Sequence, residues 1–159
     1  MRLAETVENR GYVLDMVEWV ARAEKHQTPM TVPDLTLRCI SARLREMQTE
    51  GDARFDRHRA LTDAQHAWAE KHGLYLLSKP GFESPTLSTI SVPDGLTGPG
   101  LTAAAKEHLN AQIAPGYGST AEGYIRIAAM GMTSEEEMGQ LLDGLTAIIE
   151  NWDQLNGAS

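Results

Sequence analysis

Arg126 is the first residue whose type and place suggest chemistry. In Tyr124-Ile125-Arg126-Ile127-Ala128 a strand's period of two sends both isoleucines to one face and Arg126 to the other. A guanidinium held on a strand suits bidentate capture of a carboxylate or phosphate. The competing reading is a solvated strand arginine paired with a nearby acid. A second candidate is His26-Gln27-Thr28-Pro29-Met30-Thr31-Val32-Pro33. There Thr28, Thr31 and the free N–H groups of a helix starting near Pro33 offer a place for an anion, although ordinary capping explains Thr31 equally well. Arg57-His58-Arg59 is a short basic run on a helix, for which a solvated face is the default.

Other reactive side chains form no recognisable set. His66, His72 and His108 lack metal-ligand spacing and Cys39 has no CxxC partner, so no metal site is expected. Asp15, Glu18 and Glu24 are not an acid/base pair that spacing can identify. No GxSxG, Walker loop or GxGxxG occurs, and Gly116-Tyr117-Gly118 is too short to signal dinucleotide binding.

The elements that must position these residues follow from apolar spacing and breakers. Residues 1 to 9 read as the last turns of a helix stopped at Gly11, and Tyr12 to Leu14 as a short strand. Met16, Val17, Val20 and Ala21 give a helical stripe. Pro33 fits the first position of a helix carried by Leu35, Leu37, Ile40, Leu44 and Met47, with Gly51 closing it in a left-handed conformation. A helix spans about Ala53 to Lys71, with Leu61, Ala64, Trp68 and Ala69 inward and Gly73 as its stop. Strands are expected at Leu74 to Leu77, Leu87 to Val92 and Tyr124 to Ala128, with a brief extended piece at Ile113 and Ala114. Pro99 to Leu109 is a helix, and Pro115 to Gly123 is a loop. The last helix opens on Thr133-Ser134-Glu135-Glu136, a capping box of Thr133 and Glu136, and runs to about Trp152. From residue 49 onward this order implies an α+β domain, a small and mostly antiparallel sheet with helices on one face. The first 48 residues bury too little to stand alone and look like the end of something larger.

Composition narrows the function classes. The 159 residues carry 14 Lys+Arg and 22 Asp+Glu, a formal charge of −8, with 42% hydrophobic and 23% charged residues, the balance of a globular chain. Residues 1 to 72 hold 11 basic and 12 acidic side chains, whereas residues 73 to 159 hold 3 and 10. The acidic second half would repel a phosphate backbone, so nucleic-acid binding is a poor reading. No apolar run approaches the roughly 18 residues of a membrane span, and no signal peptide is read at the start. One cysteine suits a reducing compartment.

Read in order, Glu8-Asn9-Arg10-Gly11-Tyr12, Gln27-Thr28-Pro29 with Pro33, Arg57-His58-Arg59, and Gly116-Tyr117-Gly118 through Tyr124-Ile125-Arg126-Ile127-Ala128-Ala129-Met130-Gly131 resemble the C-terminal part of class V pyridoxal-phosphate aminotransferases. This is the alanine–glyoxylate, serine–pyruvate and phosphoserine aminotransferase group. The last stretch resembles the family's Gly-x-Gly and Phe-Arg-Ile-Gly-x-Met-Gly signature. Ala129 before Met130 departs from the histidine some relatives carry.

The resemblance implies roles. Arg126 would bind the substrate α-carboxylate. Thr28 would reach the phosphate of pyridoxal 5'-phosphate in the other subunit of a homodimer, while Lys25 stands where relatives often have tyrosine. Residues 1–48 would be the end of the large cofactor-binding domain with its connecting helix, and 49–159 the C-terminal small domain. The family's Schiff-base lysine lies upstream of the matched part, and Lys25, Lys71, Lys79 and Lys106 are not in its motif. The chain is therefore expected to be a portion of an aminotransferase, without a catalytic residue of its own and inactive alone. The complete enzyme would move an amino group from serine, alanine or phosphoserine to glyoxylate, pyruvate or 2-oxoglutarate. A different reading is a non-catalytic α+β binding module, with the apolar stripe of residues 13 to 20 as its partner site. A cytoplasmic location is expected, since the ending Asn156-Gly157-Ala158-Ser159 is not a Ser-Lys-Leu type of address.

Overall fold

The computed structural model describes residues 6, 7 and 10–155. The expected helix over residues 1 to 9 and the Glu8-Asn9 part of the first motif lie, for the most part, outside the described residues. The chain divides into two units, Met1–Thr49 and Glu50–Ser159.

In the first unit, helix α1 spans Met16–Ala23 and helix α2 spans Asp34–Glu50. Asp15 caps α1 by accepting the Val17 N–H at 3.0 Å, and Arg10 Nε donates to the same carboxylate at 2.8 Å. That guanidinium holds the Asp15 carboxyl below its usual value, helped by the Val17 N–H and opposed by desolvation. Tyr12 to Leu14 is a turn rather than the expected strand. The backbone reverses at Gly11, whose φ is +67°, and this bend leads directly into the α1 cap. Pro33 precedes α2 instead of occupying its first position: its carbonyl accepts the Leu37 N–H at 3.0 Å, the first bond of the helix. Asp34 then suits the N-terminal dipole and pairs with Arg38 at 2.7 Å. Gly51 follows with φ +62°. Neither helix has a buried residue, and Val13, Leu14, Met16, Leu35, Leu37, Ile40 and Leu44 all face water.

The second unit holds a three-stranded antiparallel sheet. Its order is β1 (Leu87–Ser91), β3 (Tyr124–Ala128), β2 (Ala114–Pro115). Helices α3 (Ala53–Lys71), α4 (Gly98–Leu109) and α5 (Glu135–Glu150) complete it, with a short α6 (Trp152–Leu155). Ile90, Ile125 and Ile127 form a core with Leu61 and Trp68 of α3, Leu101 and Ala105 of α4, and Met138, Leu142, Leu145 and Ile148 of α5. The helices therefore cover one face of an α+β sheet. The inward side of α3 is Leu61, Gln65, Trp68 and Ala69, with Thr62 beside it. Ala64, expected inward, is exposed, because the buried row follows steps of four and three from Leu61 through Gln65 to Trp68. Leu74 to Leu77 is reduced to one bridge, Leu76 to Ile90, although the Tyr75 carbonyl accepts the Ser91 N–H at 2.9 Å and the Leu77 N–H donates to Thr89 at 2.9 Å.

Two helix starts are well defined. Thr97 caps α4 through the Gly100 N–H at 3.1 Å, and Gly98 is required there, since a Cβ would stand 2.3 Å from the carbonyl oxygens of both Ala121 and Tyr124. The capping box of α5 uses Ser134 and Glu137, one residue later than expected. The Glu137 N–H donates to Ser134 Oγ at 3.1 Å and the Ser134 N–H donates to the Glu137 carboxylate at 2.8 Å. Thr133 instead donates its hydroxyl to the Met130 carbonyl at 3.1 Å, which closes the turn before the helix and passes the cap to Ser134.

Candidate carboxylate-binding site on the open sheet face

The face of the sheet away from the helices is built by register. Arg126 on the central strand stands opposite Thr89 of β1 and Ala114 of β2, and directly opposed residues share a face. Both neighbours are short, so the guanidinium has lateral room. Ile125 and Ile127 are buried on the other side, which fixes the strand's facing because a one-residue slip would bury Arg126 in their place.

Arg126 Nε donates to the Pro115 carbonyl at 2.8 Å. No carboxylate pairs with Arg126 among the described residues, so the reading of an arginine neutralised by a neighbouring acid finds no partner. An open groove of about 400 Å³ lies beside it, lined by Leu87, Gln112, Ile113, Ala114, Arg126 and Ala128. Apart from Gln112 and Arg126 itself the side chains lining it are apolar, so they offer no competing partner to an anion held by the guanidinium. The Tyr117 ring centroid is 5.9 Å from the guanidinium carbon. Tyr75 and Tyr124 meet edge to face at 6.0 Å, and hydrogen bonding to Tyr75 pushes the Tyr124 phenol upward.

The basic run on α3 has other duties. Arg57 bonds Glu50 at 2.8 Å and donates to the carbonyls of Thr133 at 3.0 Å and Gly131 at 3.2 Å. It thus ties α3 to the turn that follows β3. Arg59 pairs with Asp56 at 3.1 Å on the surface. His58 Nε2 is buried with no hydrogen-bond partner. His72 belongs to a chain in which Trp68 Nε1 donates to Thr146 Oγ1 at 2.9 Å and His72 Nε2 meets the same oxygen at 3.1 Å. His66 and His108 stand apart from this chain, and Cys39 is exposed. Among the described residues no three His, Cys, Asp or Glu side chains are grouped to hold a metal. The acids near α1 are accounted for locally: Asp15 is its cap, Glu18 pairs with Arg22 at 2.6 Å, and Glu24 ends the helix.

Thr28 lies in the first unit and Arg126 in the second. The Thr28 hydroxyl donates to the Met30 carbonyl at 2.6 Å. Its one proton is thereby engaged, and Asp34 places negative charge at the start of α2, where an anion would sit. Lys25, Lys71, Lys79 and Lys106 are all exposed, and none lines the groove beside Arg126. Around Arg126 the described residues offer a guanidinium beside apolar side chains, an arrangement that can take a carboxylate.

Over 121 residues the chain is 26% identical to a mouse alanine–glyoxylate aminotransferase. The chain is similar in sequence to part of an aminotransferase. The match takes in 75% of this chain and 29% of that relative. A Synechococcus protein named as the small subunit of a soluble hydrogenase is 25% identical over 139 residues, which is 87% of this chain and 36% of that one. The fold is similar to part of an alanine–glyoxylate aminotransferase from Nostoc sp., with a TM-score of 0.80 and 24% identity over 91% of this chain and 39% of the Nostoc chain. No family model matches. The chain spans about a third of the length of the curated relatives it matches.

The neighbours of Arg126 were not singled out by sequence. The Pro115 carbonyl and the Tyr117 ring reach it through the β2–β3 pairing, which brings residues eleven apart into hydrogen-bond range. The signal was the glycine-rich segment before the strand, which announces close approach but not which group approaches.

Proposed function

We propose that this chain supplies the substrate-carboxylate site of a class V, pyridoxal-phosphate-dependent aminotransferase, with Arg126 as the binding residue. The observation that carries the reading is a strand guanidinium fixed through Nε, without an acidic partner among the described residues, opening on a small and mainly apolar groove. With Nε engaged, the two terminal nitrogens are left to grip both oxygens of a carboxylate, which orients a substrate as well as attracting it. Pyridoxal phosphate supplies the electron sink for amino transfer when bound. Its Schiff-base lysine is assigned to a domain outside these residues, so the chain alone is inactive in this reading.

A donor with a small uncharged side chain, serine or alanine, is favoured over phosphoserine. A phosphate would call on further cations such as the Arg57-His58-Arg59 run, but there Arg57 is committed to Glu50, Gly131 and Thr133 and Arg59 pairs with Asp56. The acceptor is a 2-oxo acid such as glyoxylate or pyruvate. Thr28 is assigned to the cofactor phosphate of the other subunit of a homodimer, where its hydroxyl must leave the Met30 carbonyl. The apolar side chains that face water in the first unit suit a segment that packs against further protein, as residues 1–48 would at the end of a large domain.

Titration of the chain with pyruvate at low salt, followed by the Arg126 Nε–H resonance, tests the reading. Saturable shifts at Arg126 and at the Ala114 and Gln112 amides, absent in Arg126→Ala, are expected. A titration that leaves the Arg126 resonance unmoved contradicts it.

A further inference from the structure

The turn that follows β2 holds a large aromatic side chain in water for no reason that the core provides. Tyr117 is 83% exposed, yet its backbone is closed on both sides by one residue. The Tyr117 N–H donates to Thr120 Oγ1 at 3.0 Å, and the Thr120 hydroxyl and N–H donate to the Tyr117 carbonyl at 2.9 Å and 3.2 Å. Gly116 makes this closure possible, since a Cβ there would stand 2.1 Å from the Thr120 carbonyl oxygen. Gly118 follows with φ +57°, a conformation that favours glycine. Upstream, the Gly116 N–H donates to the Tyr124 carbonyl at 2.7 Å and anchors the turn to the central strand. The two outward groups of this segment, the Pro115 carbonyl and the Tyr117 ring, are the two that reach Arg126.

We propose that the Pro115–Thr120 turn is a positioning device for Arg126, in which the Pro115 carbonyl fixes the guanidinium edge and Tyr117 covers one of its faces, so that a monocarboxylate is gripped end-on by the two terminal nitrogens. The inference rests on the carboxylate-binding reading of Arg126. Pro115 has no N–H to compete for ladder partners, and its carbonyl takes the Nε–H that would otherwise offer a second, side-on edge to the anion. The ring restricts the swing of a long side chain and shields the guanidinium from water, which strengthens its pairing with an anion. Tyr117 acts through Arg126 and is a positioning residue, not a catalytic one.

The test measures pyruvate dissociation constants from the Ala114 and Gln112 amide shifts in the wild-type chain, Tyr117→Ala, Tyr117→Phe, Thr120→Val and Arg126→Ala, with the Arg126 Nε–H shift followed wherever Arg126 is present and melting temperatures alongside. Tyr117→Ala should weaken binding by about two- to fivefold, the scale of an exposed cation–π contact. Tyr117→Phe should restore it, and Thr120→Val should weaken it to a similar degree by releasing the turn. Because the ring is exposed, Tyr117→Ala should leave the melting temperature unchanged, which a merely structural role would not. Wild-type affinity in Tyr117→Ala, with binding still lost in Arg126→Ala, overturns the positioning device and leaves the carboxylate site standing. Weakening in Tyr117→Phe equal to that in Tyr117→Ala overturns the role of the ring face. Absence of any shift at Arg126 in the wild-type chain overturns both.

Discussion

The two units obey different physics although each contains long helices. Helix α5 buries Met138, Leu142, Leu145 and Ile148 along a row spaced by four, three and three residues, and its neighbours α3 and α4 supply the matching surfaces. Helix α2 is as regular and one residue longer, yet Leu35, Leu37, Ile40 and Leu44 face water. Its helicity rests on local terms: a residue pair Asp34–Arg38, a glycine at its end and few helix-breaking residues. A helix made by local terms alone is marginal in water, whereas one packed into a core shares the stability of the whole domain. The site candidate of the second unit is accordingly rigidly placed, and the anion candidate of the first depends on a segment with little burial.

The sharpest way to break this contrast is truncation. Leu145, fully buried, changed to alanine should cost about 2–5 kcal/mol through lost transfer and the cavity left behind. Leu44→Ala, at a position 58% exposed, should stay within about 0.5 kcal/mol. Denaturant unfolding followed by circular dichroism reads both, and equal costs would mean that α2 is packed against something.

A smaller effect separates structure from binding within the second unit. Arg57→Ala removes a clamp on two carbonyls and Glu50 and should lower stability by about 1–3 kcal/mol, while the pyruvate dissociation constant at Arg126 stays at its wild-type value. A parallel loss of pyruvate affinity would return the basic run of α3 to the binding site.

The smallest expected effect is on pH dependence. Hydrogen bonds from the Ser134 backbone and hydroxyl hold the Glu137 carboxyl below its usual value, against a minor desolvation effect. A carboxyl depressed in the folded state stabilises above its unfolded value, near 4.5, and this contribution disappears as pH falls through the lower folded value. Melting temperature should therefore drop more steeply between pH 5 and pH 3 in the wild type than in Glu137→Gln. Identical slopes would remove the capping box from the acid response of α5.

Much of the second unit was legible because its signals are local and agree with one another. Alternation fixed β3 at Tyr124–Ala128, and glycines at 51 and 73 marked helix ends where φ is positive. Register was not legible: nothing local states that Ala114 faces Arg126 or that Pro115 accepts its Nε–H, since both follow from a hairpin closed across the 116–123 loop. The capping box slipped by one residue because Thr133 and Ser134 are chemically equivalent caps, and only the turn bond from Thr133 to Met130 decides between them. Tyr12 to Leu14 misled because its β-prone residues serve a turn, where Tyr12 donates its hydroxyl to the Pro29 carbonyl. Arg126 itself was found from its place on the strand. What its neighbours do to it required the pairing of strands.

Arginine modification by phenylglyoxal, mapped peptide by peptide with and without pyruvate, tests most directly the claim that Arg126 is the carboxylate-binding residue. Pyruvate should slow modification of Arg126 selectively, while the exposed Arg38 and Arg59 react at unchanged rates. Equal rates at Arg126 with and without pyruvate would contradict the account.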